Sequence, residues 1–215
     1  MLGYAVVDVE TTGFAARSRD RVVEIGLVLT DPQGRVEHEW STLVNPLRDV
    51  GPSWVHGIQA RDVVGAPTFA EIAADVMAAL SRRVLVAHNV GFDFSFLAAE
   101  FGRAHVPIRD DFPRICTMRW SDTFVRGASR KLVHCCEAAG IGIVDAHSAL
   151  GDARATADLL RFYLGRSAGR VPWDAVVAQC DAYPWLADPP DGGVPAASYA
   201  RRGVAARSGL LRAVV

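Results

Sequence analysis

The pattern of apolar and polar positions divides the chain into an N-terminal group of strands and a following alternation of strands and helices. Three apolar stretches, at residues 4–9, 22–30 and 36–44, have the length and the β-branched content of strands. The turn signal Asp-Pro-Gln-Gly at residues 31–34 predicts a hairpin between the second and the third. We therefore expect three sequential strands that are antiparallel in part.

Helical and short apolar segments follow these strands. Thr68 and Glu71 have the spacing of a capping box and predict a helix that runs to about Leu80. The further predicted elements are, in order, a strand at 84–87, a helix at 92–101, a strand at 114–117 and helices at 129–139 and 149–164. Strands followed by strands alternating with helices predict an α/β fold, with a mixed five-stranded sheet flanked by helices. Residues 45–67 are expected to form a long irregular loop, of the kind that is often functional.

The composition shifts after residue 165 toward proline, glycine and alanine. We therefore predict a domain at residues 1–165 and a C-terminal extension at residues 166–215, partly packed on the core. The extension contains Trp173, Tyr183 and Trp185, which are expected to be packing residues. Its last segment, from Ser198 onward, carries four arginines and no acidic residue, and is a candidate for non-specific contact with nucleic acid.

Charge and cysteine content narrow the class of protein. The formal net charge of −1 gives no global attraction to nucleic acid, so binding to a polyanion requires a local basic surface. The four cysteines form neither a Cys-x-x-Cys pair nor a disulfide framework and are expected to be reduced. Asp8 and Glu10 interrupt any signal peptide, and no apolar run is long enough to cross a bilayer. We expect a cytoplasmic protein with no membrane partner.

Two carboxylates lie at the end of the first predicted strand. Side chains two positions apart on a strand point to the same face, so Asp8 and Glu10 project side by side. Two adjacent like charges favour a hard divalent cation with oxygen ligands as their counter-charge. The alternative is a strand that ends in a polar turn, with both carboxylates solvated.

Two further acidic positions follow later in the chain. One lies in the segment His88-Asn89-x-x-Phe92-Asp93, and the other is Asp152, five residues after His147. Each acidic residue is predicted in the first turns of a helix, where a carboxylate interacts favourably with the helix dipole, and this alone can account for it. The N-termini of these helices follow strand ends, so the same residues can also face one common cleft.

In combination these segments resemble the DEDDh subgroup of DnaQ-like 3′-to-5′ exonucleases, which includes proteins like the epsilon subunit of DNA polymerase III. The resemblance rests on Asp8-x-Glu10-Thr-Thr-Gly, on His88-Asn89-x-x-Phe92-Asp93 and on His147 with Asp152, in that order. It extends over roughly residues 4–165. It implies an RNase H-like fold and a phosphodiesterase site that holds two ions of Mg²⁺ or Mn²⁺.

The resemblance also implies a role for each motif residue. Asp8 is expected to bridge both metal ions, Glu10 and Asp152 to complete the ion that holds the attacking water, and Asp93 to support the second ion. His147 is expected to act as the general base, because an ordinary imidazole is largely neutral and able to accept a proton at physiological pH.

Substrate contacts are predicted around the same motifs. By the resemblance, the turn Thr11-Thr12-Gly13 binds the 3′-terminal nucleotide through backbone amides and hydroxyls. Phe14, Phe92 and Ile58 are predicted to stack on or wedge against the terminal bases, although Phe92 is equally suited to the core. Asn89 is predicted either to hydrogen-bond in the site or to cap the helix that carries Asp93.

The resulting prediction is a metal-dependent 3′-to-5′ exonuclease that releases nucleoside monophosphates from single-stranded 3′ ends, in DNA proofreading or repair. Proofreading requires a separate polymerase subunit as a partner. An exoribonuclease that acts on RNA ends or short oligonucleotides is the alternative within the enzyme class. A non-catalytic nucleic-acid or polymerase-binding module is the alternative outside it, and the presence of all five motif residues argues against this module.

Overall fold

A computed structural model describes residues 1–106, 108–145 and 147–185. The basic segment from Ser198 to Val215 and most of the predicted extension lie outside the described residues. Within the described part, no helix is both long enough and apolar enough to cross a lipid bilayer.

The described residues form five strands and eight helices. The strands are β1 (Gly3–Thr11), β2 (Val22–Thr30), β3 (Val36–Leu43), β4 (Arg83–Ala87) and β5 (Arg114–Cys116). The helices are α1 (Ser53–His56), α2 (Ala60–Val63), α3 (Phe69–Leu80), α4 (Val90–Arg103), α5 (Thr117–Phe124), α6 (Leu132–Ala139), α7 (Ala149–Arg166) and α8 (Asp174–Ala182).

The strands form one mixed sheet in the order β3-β2-β1-β4-β5. β2 pairs antiparallel with β1 and with β3, whereas β4 pairs parallel with β1 and with β5. The predicted five-stranded mixed sheet is thus confirmed. β1 is the central strand of the sheet. The carboxylates at the C-terminal end of β1 therefore lie midway along the side of the sheet where the parallel strands β1, β4 and β5 end.

Helices cover both faces of the sheet. Alternate residues of β1 divide between the two cores: Val7 and Val9 pack in the core that includes α3 and α4, and Tyr4 and Val6 pack in the core that includes α6 and α7. The alternation places Asp8 and Glu10 on the α7 face of the sheet. α7 is therefore the helix positioned to add groups to this pair.

The capping box at the start of α3 is present as predicted. The carboxylate of Glu71 accepts hydrogen bonds from the backbone N–H and the hydroxyl of Thr68, at 2.7 and 2.8 Å. The structure differs from the prediction at residues 45–67, where the short helices α1 and α2 interrupt the expected irregular loop.

Two further helices, α5 and α8, were also not predicted. α8 lies in the predicted extension, and the adjacent Trp173 is buried in the core on the α7 side, where its indole N–H donates to the Tyr4 hydroxyl at 3.3 Å. Tyr183 and Trp185 pack edge-on against Phe112. The three aromatic residues of the extension therefore pack as predicted, while the domain boundary at residue 165 stays a prediction.

A buried ion pair fixes the loop after β1 to α4. The Glu100 side chain, 1% exposed, accepts hydrogen bonds from the Arg21 guanidinium at 2.7 and 2.9 Å. The same carboxylate accepts from the backbone N–H of Val22 at 3.3 Å, and Arg103 lies 3.3 Å from it. Because α4 carries Asp93 in its first turn, this network ties the Asp93 helix to the start of β2, which pairs with the end of β1.

Replacing Glu100 by alanine is expected to lower the free energy of unfolding by about 3–5 kcal/mol, because the Arg21 guanidinium loses its buried counter-charge. Urea denaturation followed by circular dichroism measures this change. Asp111→Ala is the matched control, since the pair Arg109–Asp111 has similar geometry but is exposed. Equal effects of the two substitutions would contradict the structural role given to Glu100.

Candidate active site

Three carboxylates meet where β1 ends against α7. Oxygen atoms of Asp8, Glu10 and Asp152 all lie within 4.8 Å of one another, and the three residues are partly buried. Asp8 and Glu10 come from the same face of β1, and Asp152 comes from the first turn of α7. Residues separated by more than 140 positions are thus brought to one point by the packing of α7 on the sheet.

The N-terminus of α7 is held in place by local capping. Ser148 is the N-cap residue, and its hydroxyl accepts a hydrogen bond from the backbone N–H of Gly151 at 3.1 Å. The same hydroxyl donates to the backbone carbonyl of Asp145 at 2.8 Å. These bonds fix the turn that presents Asp152.

Asp93 joins this group from the opposite face of the sheet. It lies in the first turn of α4, is 3% exposed, and accepts a hydrogen bond at 3.3 Å from the backbone N–H of Val9. Val9 lies between Asp8 and Glu10, so Asp93 is attached directly to the strand that carries them. Its charge also contributes to the raised pKa of Asp8.

His147 lies just before α7 and is exposed. Its backbone has a φ of 65°, in the left-handed region that non-glycine residues seldom adopt, and Asp145 has a φ of 58°. Such conformations persist where the surrounding structure imposes them, and they are common in active sites. The charge of His147 and a hydrogen bond from its backbone both lower the pKa of Asp152, so His147 lies near this carboxylate.

The carboxylates carry raised pKa values. Burial raises the pKa of Asp8 well above its ordinary range, and the surrounding carboxylates add to the shift, in the order Asp93, Asp152, Glu10 and Glu24. Burial raises the pKa of Asp93 to about 7 against opposing backbone hydrogen bonds. Burial also raises the pKa of Asp152, although His147 acts in the opposite direction.

These observations fit a divalent metal site. Carboxylate oxygens are the ligands that Mg²⁺ and Mn²⁺ prefer. Like charges gathered in a partly buried place raise one another's pKa, and a bound cation would stabilise their ionised forms. The cluster Asp8, Glu10 and Asp152 can therefore hold a metal ion.

The raised pKa of Asp93 predicts a pH dependence of stability in the metal-free protein. A folded-state pKa above the unfolded value of about 4 means that the stabilising contribution is complete below about pH 4 and is lost as the pH rises through about 7. Relative to Asp93→Asn, which cannot ionise, the wild type should lose up to about 4 kcal/mol of unfolding free energy between pH 4 and pH 8. Urea titrations in EDTA measure this difference, and a pH-independent difference would contradict the shift.

The turn that follows β1 is internally bonded. The Thr11 hydroxyl donates to the Gly13 carbonyl at 2.7 Å, and the Thr12 hydroxyl donates to Asp20 at 3.1 Å while it accepts from the Arg21 backbone N–H. A Cβ on Gly13 would lie 2.4 Å from the Asp20 carboxylate, so a larger residue here would have to displace that side chain. Both threonine hydroxyls predicted to contact a nucleotide thus already have partners in the turn.

The predicted base-contacting residues differ in accessibility. Phe14 is 87% exposed, and its ring centroid lies 6.3 Å from that of the partly buried Phe92. Ile58, in contrast, is 1% exposed and packs in a small core with residues such as Val23 and Leu43. The structure therefore corrects the prediction for Ile58, because a side chain enclosed in a core has no surface to offer a base.

Asn89 and His88 lie at the junction of β4 and α4. Asn89 has a left-handed φ of 77° and makes no side-chain capping hydrogen bond, so the capping alternative is not seen. The ring nitrogens of His88 contact the Thr117 hydroxyl at 2.9 Å and the Arg130 carbonyl at 2.8 Å. Burial lowers the pKa of His88, which favours a neutral ring with a structural role.

Two residues on β2 next to the cluster were not identified from the sequence. Glu24 is a buried carboxylate paired in register with Glu10, and Gly26 is paired with Asp8. The available signal was a single acidic residue inside an otherwise apolar strand. Such a position requires a partner, because a bare buried charge is costly.

Comparisons with known proteins agree with this geometry. A family model described as Exonuclease (RNase_T) matches residues 5–160. E. coli exonuclease I in complex with a dT13 oligonucleotide has the same fold, with a TM-score of 0.67 and 20% identity over 76% of this chain and 41% of that chain. The sheet and its helices are therefore RNase H-like, as in exonuclease I.

Curated relatives share more of the sequence. A protein of Staphylococcus saprophyticus named 3′-5′ exonuclease DinG is 30% identical over 73% of this chain and 17% of its own length. The DNA polymerase III subunit epsilon of Treponema pallidum is 40% identical over 46% of this chain and 46% of its own. The chain spans between 11% and 46% of the length of the first curated relatives it matches.

Proposed function

Because the chain belongs to the RNase_T family of exonucleases, we propose that it is a metal-dependent 3′-to-5′ exonuclease of the DEDDh subgroup. Its substrate is a single-stranded DNA 3′ end, and its products are nucleoside monophosphates. The observation that carries this proposal is the meeting of Asp8, Glu10 and Asp152 within 4.8 Å, with Asp93 bonded to the same strand and His147 beside Asp152.

The carboxylates would hold two divalent ions, Mg²⁺ or Mn²⁺. In this proposal Asp8 would bind both ions, Glu10 and Asp152 would complete one, and Asp93 would support the other. Bound there, the ions would neutralise charge on the scissile phosphate and activate water for attack. This assignment is supported by the oxygen chemistry of the four carboxylates and by the raised pKa values of Asp8, Asp93 and Asp152.

His147 is proposed as the general base. A ring nitrogen of His147 takes a proton from the attacking water as the new phosphorus–oxygen bond forms and the bond to the 3′ oxygen breaks. The 3′ oxygen stays on the shortened strand and takes a proton from solvent water, and the exposed imidazolium returns its proton to solvent. Exposure of His147 leaves its ring accessible to a substrate, and its position beside Asp152 places it at the cluster.

The strand end is proposed to enter over Phe14. This ring is exposed at the end of the Thr11-Thr12-Gly13 turn, so it can stack on a base whatever the sequence. The partly buried ring of Phe92 packs beside Phe14, with 6.3 Å between the two ring centroids. Asn89, exposed at the start of α4, is proposed to hydrogen-bond to the terminal nucleotide.

Phe14→Ala is expected to raise KM for single-stranded DNA by roughly 5- to 150-fold, which is the worth of about one stacked base. Phe14→Tyr retains the ring, and Val133→Ala removes an exposed apolar side chain from α6; both should behave as wild type. An unchanged KM in Phe14→Ala contradicts the stacking role.

The test of the function is a product ladder on end-labelled, single-stranded DNA and RNA of matched sequence, with Mg²⁺, with Mn²⁺ and with EDTA. Stepwise loss of mononucleotides from the 3′ end of DNA, abolished by EDTA, is the expected result. Faster digestion of RNA would assign the chain to the exoribonucleases. Binding without cleavage would leave only the non-catalytic module.

A DNA polymerase subunit is the proposed partner. The likeness to a polymerase epsilon subunit supports this pairing, since that name assigns the relative to a polymerase. A primer–template with a 3′ mismatch tests it: together with the replicative polymerase, the chain should raise extension of the mismatched primer more than that of a matched one. No such preference would favour a role in repair or end trimming.

A further inference from the structure

Glu24 is a buried carboxylate that lies beside the proposed metal site. It is 3% exposed, lies in the apolar strand β2, and is the register partner of Glu10 on β1. Directly opposed residues on antiparallel strands lie on the same face, with Cβ atoms about 4.5–5.5 Å apart. A fifth carboxylate here adds repulsion to the cluster, and it contributes to the raised pKa of Asp8.

The Glu24 carboxylate contacts the start of α7. Its Oε2 accepts a hydrogen bond from the backbone N–H of Ala149 at 3.1 Å. Ala149 is the first residue of α7, so this N–H has no acceptor within the helix. A negative charge at this end also interacts favourably with the helix dipole.

Gly26 permits the close approach that this hydrogen bond requires. A Cβ on Gly26 would lie 2.4 Å from the carbonyl carbon and oxygen of Ala149, a distance that real side chains do not tolerate. The backbone of β2 and the first turn of α7 are therefore in direct contact. Asp152 lies three residues after Ala149, in that same turn.

We propose that Glu24 is a positioning residue that holds the first turn of α7 against the sheet so that Asp152 reaches Asp8 and Glu10. This proposal rests on the proposed metal-dependent function. Glu24 acts through the Ala149 N–H and not as a ligand or as a general source of negative charge. Gly26 contributes to the same positioning, because the lack of a side chain there allows the first turn of α7 to lie against β2.

The experiment compares Glu24→Ala, Glu24→Gln and Gly26→Ala with the wild type. Glu39→Ala is the matched control: Glu39 also joins the sheet to α7, through Arg154 at 2.6 and 2.9 Å, but by a surface ion pair away from the Ala149 contact. The readouts are the Kd for Mn²⁺, measured by electron paramagnetic resonance without nucleic acid, and then kcat and KM. Thermal unfolding in EDTA shows which variants are folded.

Glu24→Ala is expected to weaken Mn²⁺ binding by about 10- to 100-fold, the usual effect of removing a group that orients a metal ligand. Glu24→Gln should bind nearly as well as the wild type, because an amide oxygen also accepts from Ala149. Gly26→Ala should show the same defect as Glu24→Ala although Glu24 is intact. Loss of kcat should follow the loss of metal and be partly recovered at high Mn²⁺, with KM for the strand little changed.

Three results would overturn the proposal: a Kd for Mn²⁺ in Glu24→Ala equal to that of Glu39→Ala, an equal loss in Glu24→Gln, or normal Mn²⁺ binding in a folded Gly26→Ala. If Glu24→Ala does not fold, Glu24→Gln and Gly26→Ala decide alone. Mn²⁺ binding is measured without substrate. Failure of the wild type to cleave DNA would therefore reject the nuclease function, while the Mn²⁺ dissociation constants would still test the role of Glu24.

Discussion

Replacing either Asp8 or Asp152 by alanine is expected to reduce cleavage of single-stranded DNA below detection while the protein stays folded. Both residues supply oxygen atoms to the cluster of three that lie within 4.8 Å. Loss of a group that merely orients a ligand costs about 10- to 100-fold, so loss of a ligand itself should cost more. Rates from gel assays at saturating Mg²⁺ measure the effect.

Although both variants lose cleavage, their stability should not fall. In EDTA near pH 7, removal of Asp8 relieves repulsion among buried carboxylates, so the melting temperature should be unchanged or higher. The rise in melting temperature on adding Mn²⁺ should be lost. Asp158→Ala is the control, since it removes an exposed carboxylate from α7, the helix that also carries Asp152. Near-normal cleavage by either site variant would reject the metal assignment.

His147→Ala is expected to lower kcat by about 10²- to 10⁴-fold, the usual contribution of a positioned general base. Mn²⁺ binding and single-strand affinity should change little, because His147 is proposed to bind neither. Free imidazole in the buffer should restore part of the lost rate, since the variant leaves space for a base. Steady-state kinetics with and without imidazole measure both effects.

His134→Ala is the matched control for this experiment, because His134 is an exposed histidine on α6 whose ring hydrogen-bonds to the Ser129 hydroxyl, outside the carboxylate cluster. It should cleave at the wild-type rate. If His147→Ala instead loses strand affinity in proportion to kcat and shows no response to imidazole, His147 is a binding residue.

The elements that the sequence predicted well are those with a strong local signal. β2 is an apolar run interrupted only by Glu24 before its final Thr30, and α3 begins with a Thr-x-x-Glu capping box, so both were placed within a residue or two. The gathering of Asp8, Glu10 and Asp152 was predictable only because the order of three motifs resembled a known family. Spacing alone left each acidic residue with an ordinary explanation.

The features that were missed depend on tertiary contacts. α5 follows β5 without a break and has a mixed sequence, and its Trp120 packs on Trp173 from the extension. Ile58 was predicted to contact a terminal base from a segment expected to be an irregular loop, yet the chain folds back and buries it. The formation of α5 and the burial of Ile58 both depend on packing partners that are distant in the sequence, and a local sequence pattern does not reveal such partners.

The place of β1 in the middle of the sheet has a consequence during protein synthesis. β1 leaves the ribosome before the other strands of its sheet: its parallel neighbour β4 lies some 75 residues later and α7 about 65 residues after that. At about 5–20 residues per second, the interval from β1 to the end of α7 lasts roughly 8–30 seconds. Until the start of α7 has emerged, the nascent chain carries Asp8 and Glu10 without Asp152, so the cluster of three carboxylates can form only late in synthesis.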